Sequence, residues 1–134
     1  MSSSQPSLSP PWAHRVASTI LEQLGGERCL RLMLGPATRF CVQHDPERGA
    51  GLLVSGIDMT ECGGRVTAFR VLLAPSDTYD VDVFEGPEAG LRLVDSVDDI
   101  YSDMLVECVE RRTGYSLTSP FPALSANRSQ ALTP

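Results

Sequence analysis

Asp80 and Asp82 stand two residues apart in the run Tyr79 to Phe84, YDVDVF. On an extended strand, side chains at i and i+2 project from the same face, so this pair has the spacing for acid/base or hard-cation chemistry. A hard cation needs several convergent oxygens, and neither a histidine nor a third carboxylate is spaced to join them. Asp99, Asp103, Glu107 and Glu110 form a second set, at steps of four, four and three, which on a helix would line one side. These six carboxylates are the candidate contacts for a protein partner with a basic surface.

Nucleophilic and soft-metal chemistry have weaker carriers. Cys41 and His44 make a CxxH spacing, while Cys29, Cys62 and Cys108 are scattered without a short-spaced pair. A structural zinc site needs four ligands in tetrahedral array, which this pattern does not nucleate. The cysteines read as reduced thiols at small apolar positions. Gly25-Gly26 and Gly63-Gly64 match neither a P-loop nor a dinucleotide fingerprint. Catalytic, cofactor and metal residues are therefore not assigned, and no enzymatic activity is expected. A competing reading places an anionic ligand in a cleft between sheet and helices, held by Arg31, Arg39 or Arg70.

Composition narrows the partner. The chain has 134 residues, 17 acidic against 11 basic, a net charge of −6 and a pI near 4.8. That balance repels phosphate backbones and excludes general binding to DNA or RNA. All 11 basic residues are arginine, from which no functional conclusion follows. No run approaches the roughly 18 apolar residues of a membrane span, and the opening MSSSQPSLSPPW has neither a basic nor an apolar leader region. A cytoplasmic location is expected.

The elements that must position these residues make one α+β domain over 10–117, with disordered tails predicted for 1–9 and 118–134. Ala13, Val16, Ala17, Ile20, Leu21 and Leu24 recur at helical spacing, with Ser9 as cap and Gly25-Gly26 as stop. The period then becomes two in Arg28 to Leu34 and in Thr38 to His44, which predicts a hairpin across Gly35-Pro36. Leu52 to Ser55 reads as a strand and Asp58 to Gly64 as a loop. Arg65 to Phe84 reads as a long hairpin turning at Pro75-Ser76-Asp77-Thr78, with Arg70 beside Asp80 and Asp82. Leu91 to Val94 adds a strand, for an antiparallel meander of five to six. Val97, Ile100, Tyr101, Met104, Leu105, Cys108 and Val109 then follow i, i+3, i+4, i+7, i+8, i+11, i+12, predicting a closing helix with Ser96 as N-cap and Gly114 as stop. Both helices are expected on one face of the sheet. Trp12 is expected to staple the first of them, with a partner anchor as the other role.

Thr19 to Gly35 (TILEQLGGERCLRLMLG), Leu72 to Phe84 (LLAPSDTYDVDVF) and Asp98 to Leu117 (DDIYSDMLVECVERRTGYSL) together resemble a family of small uncharacterised bacteriophage and mobile-element proteins. The resemblance implies a phage or prophage context and carries no catalytic residues. The leading expectation is a small acidic non-enzymatic binding protein that occupies a surface on another macromolecule, for instance by competing with DNA for the basic cleft of a nucleic-acid-handling or defence machine. A ligand-binding domain or enzyme with a sheet–helix cleft, and a structural or assembly component of a phage particle, are the other readings. The partner's identity and the oligomeric state stay open.

Overall fold

The computed structural model describes residues 10–117, so the expected tails and the Ser9 cap lie outside the described residues. Helix α1 spans Pro11–Gln23 and buries Ala13, Ala17 and Ile20, with Leu24 buried just beyond. Pro10 occupies the N-cap position, and Pro11 suits the first turn because its missing N–H would have had no partner there. Gly25 and Gly26, at φ +118° and +90°, end the helix as the sequence implied.

The next segment differs from expectation. Glu27–Leu34 is a second helix, α2, not a strand. The alternation of Leu30, Leu32 and Leu34 suggested period two, yet Leu30 and Leu34 are also one helical turn apart and both are buried, while Leu32 is 63% exposed. The run ERCLRLML contains no β-branched residue, and Glu27 pairs with Arg31 at i, i+4; both favour helix.

Five strands follow in one antiparallel sheet, in the order β1-β2-β3-β4-β5. They are β1 (Arg39–Asp45), β2 (Gly49–Ser55), β3 (Val66–Leu73), β4 (Tyr79–Glu85) and β5 (Arg92–Ile100). A one-turn helix, α3 (Met59–Cys62), interrupts the expected loop between β2 and β3, and its start is held by Asp58 Oδ1 accepting the Thr60 N–H. The predicted Arg65 to Phe84 hairpin is present as β3 and β4, with Phe69 opposite Val83 and Val71 opposite Val81.

The closing helix is shorter than its periodicity suggested. Val97 and Ile100 belong to β5, and the helix, α4, covers only Leu105–Thr113 after a 3-10 turn at Ser102–Met104. Val81 pairs with Val97 and Tyr79 with Ile100, so β5 spends three steps where β4 spends two. The extra residue is a β-bulge, with Asp99 at φ +58°. It returns Ile100 to the core-facing side that Val97 already occupies, so a bulged strand reproduces the i, i+3 spacing of a helix. Gly114 does end α4, in the left-handed conformation at φ +80°, and Arg111 and Arg112 occupy its last turn.

The core lies between one sheet face and the helices: Phe69, Val71, Tyr79, Val81 and Val83 meet Ile20, Leu24, Leu30, Leu34, Leu105 and Val109. Tyr115 and Leu117 extend it beyond α4, and the Tyr115 hydroxyl donates to the Val66 carbonyl at 2.8 Å. The architecture is α+β, with the N-terminal and C-terminal helices packed on the sheet. No helix among the described residues is long and apolar enough to cross a membrane.

Candidate functional site

On the sheet face away from the helices, Asp82 sits opposite Arg70 and Ser96 on its two neighbouring strands. Its carboxylate accepts from Arg48 Nη1 at 2.9 Å and Nη2 at 3.2 Å, from Arg70 Nε at 3.1 Å and Nη2 at 2.7 Å, and from the Ser96 hydroxyl at 2.7 Å. Arg48 comes from the turn between β1 and β2, two strands away. Between them lies Gly51, where a Cβ would stand 1.8 Å from the Val71 carbonyl oxygen. Only a residue without a side chain fits there, because the backbones of β2 and β3 approach too closely for a Cβ.

This arrangement corrects two expectations. Ser96 is a strand residue that donates to Asp82 and does not cap a helix. Asp82 is 1% exposed and engaged on both oxygens, so it presents nothing to a partner. Burial pushes its carboxyl up, but the bonds from Arg48, Arg70 and Ser96 outweigh that and hold it below the ordinary carboxylate value. Asp80 is pushed the other way, by burial and by Asp98, against the pull of Arg48 at 3.7 Å. The pair therefore does structural work on a polar cluster.

The other four candidates divide. Glu110 accepts the Leu117 N–H at 2.8 Å and ties the exit from α4 to the helix. Glu107 pairs with Arg111 at 2.6 Å on α4. Asp99 is in the bulge of β5 and not on a helix; its Oδ1 accepts from the Thr78 hydroxyl at 3.4 Å. Asp103 lies in the 3-10 turn and is exposed. The four therefore do not line one helix face.

What replaces that face is a margin running along β5, through the 3-10 turn, onto α4. From Arg92 to Arg112 it holds six carboxylates and three arginines. Each arginine is already spent: Arg92 on Glu85, Arg111 on Glu107, Arg112 on Asp95. No salt bridge among the described residues neutralises Asp98, Asp99 or Asp103. Between them Tyr101 is 66% and Met104 48% exposed. Tyr101, Ser102, Asp103 and Met104 face the β3–β4 turn, Ser76 to Thr78, across an open cleft of about 700 Å³. Asp77 and Asp99, on the two segments that meet here, both have positive φ, a conformation that aspartate tolerates better than most residues. The helical periodicity concealed this site, because it assigned Tyr101 and Met104 to a buried stripe.

The remaining candidates do not assemble. Arg31 pairs with Glu27 and lies 5.0 Å over the Phe40 ring, Arg39 pairs with Glu88, and Arg70 with Asp82. Three arginines at three places, each matched to a carboxylate, do not converge on one anion. Cys41 and His44 point to opposite faces of β1, and Cys41 is exposed at the sheet edge and not a core thiol. Cys29 donates to the Leu117 carbonyl and Cys62 to that of Met33. Burial pushes the Cys108 thiol up despite Arg112 and Arg111 nearby, which keeps it protonated. Among the described residues no group of three His, Cys, Asp or Glu side chains is placed to hold a metal ion. Trp12 is 45% exposed and stands edge-on to His44, with ring centroids 5.2 Å apart.

No family model, curated protein or solved structure matches this chain.

Proposed function

We propose that this chain is a non-enzymatic binding protein that docks a basic surface of another protein along the β5–α4 margin. The observation that carries the reading is the exposed Tyr101 and Met104 set among Asp98, Asp99 and Asp103, carboxylates that no salt bridge neutralises. An arginine or lysine of the partner finds there an aromatic face and an uncompensated negative charge, the two groups that recognise a cation. Aromatic anchors ringed by polar groups are also where binding energy concentrates in protein interfaces. A target whose own ligand is polyanionic, such as a phage or host protein that handles nucleic acid, has the matching charge, and the chain would compete with that ligand for the same cleft.

The test is a matched capture: the wild-type chain and a folded Tyr101→Ala/Asp98→Arg/Asp103→Arg variant, each immobilised and exposed to the same extract. The reading expects a basic protein retained by the first, absent from the second and released as salt is raised. Equal recovery on both columns, or retention indifferent to salt, would remove the margin from consideration.

A further inference from the structure

The two outer strands of the sheet are built differently. β5 breaks its ladder with β4 at two places and carries Asp95, Asp98 and Asp99, devices by which sheets keep an edge from pairing. β1 has neither. Its residues pair with β2 one for one from Arg39 to Asp45, and among the described residues no strand lies on its other side. Phe40 and Val42, on its core-facing side, are only partly buried.

We propose that β1 pairs antiparallel with β1 of a second copy of this chain, about a two-fold axis at Val42. In that register Val42 meets itself, Phe40 meets the partner's His44, and Arg39 meets the partner's Asp45 at both ends of the ladder. The strand RFCVQHD carries one charge of each sign at opposite ends, so it is complementary to its own reversed copy. β5 is not, since pairing it with another β5 would bring three aspartates of each copy together. Pairing β1 with a partner's β5 would leave a free edge at each end and propagate, whereas β1 with β1 closes as an isologous dimer. The half-buried Phe40 and Val42 gain cover in the process. Asp45 is held in the charged form by the N–H groups of Glu47 and Arg48, which it accepts at 2.9 and 3.1 Å. The present partner of Arg39, Glu88, is exposed, as is Arg39 itself, and such a surface pair exchanges at little cost.

Sedimentation of the full chain over a wide concentration range, with hydrogen exchange at its two ends, tests the pairing. The expected result is twice the chain mass at high concentration, with protection of 39–45 rising as the dimer forms. Arg39→Asp weakens dimerisation by at least about tenfold, Asp45→Arg does the same, and mixing the two variants restores it. Asp45 also holds its turn, so if Asp45→Arg does not fold, Arg39→Asp and the exchange data decide alone. A monomeric mass up to millimolar concentration, a dimer indifferent to Arg39→Asp, or concentration-dependent protection at β5 in place of β1 would overturn the proposal.

Discussion

Asp82 keeps its charge at 1% exposure because five hydrogen-bond contacts from Arg48, Arg70 and Ser96 replace the water it lost. Removing one member of such a cluster strands the others, so Asp82→Ala should lower stability by about 3 kcal/mol in urea unfolding at neutral pH. The sign with pH follows from the lowered carboxyl. Its contribution is complete above the unfolded value near 3.8 and is lost as pH falls through the lower folded value. The wild type should therefore lose stability in acid more steeply than Asp82→Ala does. Asp80 has the opposite sign: its carboxyl is raised, so ionisation at neutral pH opposes folding. Asp80→Asn should leave neutral-pH stability unchanged or raise it, and a loss comparable to that of Asp82→Ala would contradict the division of roles. That Arg70 would stand beside Asp82 was legible from strand periodicity. That Arg48 would join them was not, because it comes from the β1–β2 turn, 34 residues away in sequence.

On β2, Gly51→Ala should part the β2–β3 ladder at a cost of about 3 kcal/mol, since the added methyl meets backbone that cannot move aside. The β5 bulge makes a second prediction at this scale. Asp99 sits at φ +58°, so Asp99→Gly should be neutral or stabilising by up to about 1 kcal/mol, while Asp99→Val should cost about 1–2 kcal/mol. Backbone chemical shifts should read extended through Ile100 and helical only from Leu105. The hairpin of β3 and β4 was legible because alternation, turn residues and a cross-strand charge pair agreed. α2 and β5 were misread because local spacing is degenerate: leucines two apart are also four apart, and a bulge converts a strand's period into a helix's. The candidate site lay in the second of these, so Asp99 and Asp103 were named as contacts, Asp98 was not, and Tyr101 and Met104 were assigned to a buried stripe.

At the scale of the molecule, pairing within the fold sorts the net charge of −6. Asp82 and Asp80 are drawn inward, Glu110 and Glu107 serve α4, and the uncompensated carboxylates collect with Tyr101 and Met104 at the β5 end of the sheet. The charge-balanced β1 lies at the opposite end. A dimer through β1 would carry the two acidic margins outward at the ends of a ten-stranded sheet, placed to engage two sites at once. The proposed binding role of the β5–α4 margin is read most directly from the affinity for the captured basic protein, wild type against Tyr101→Ala/Asp103→Arg, by calorimetric titration at two salt concentrations. The variant should bind at least about tenfold more weakly and with a weaker salt dependence; equal affinity and equal salt dependence in both chains would rule the margin out as the binding surface.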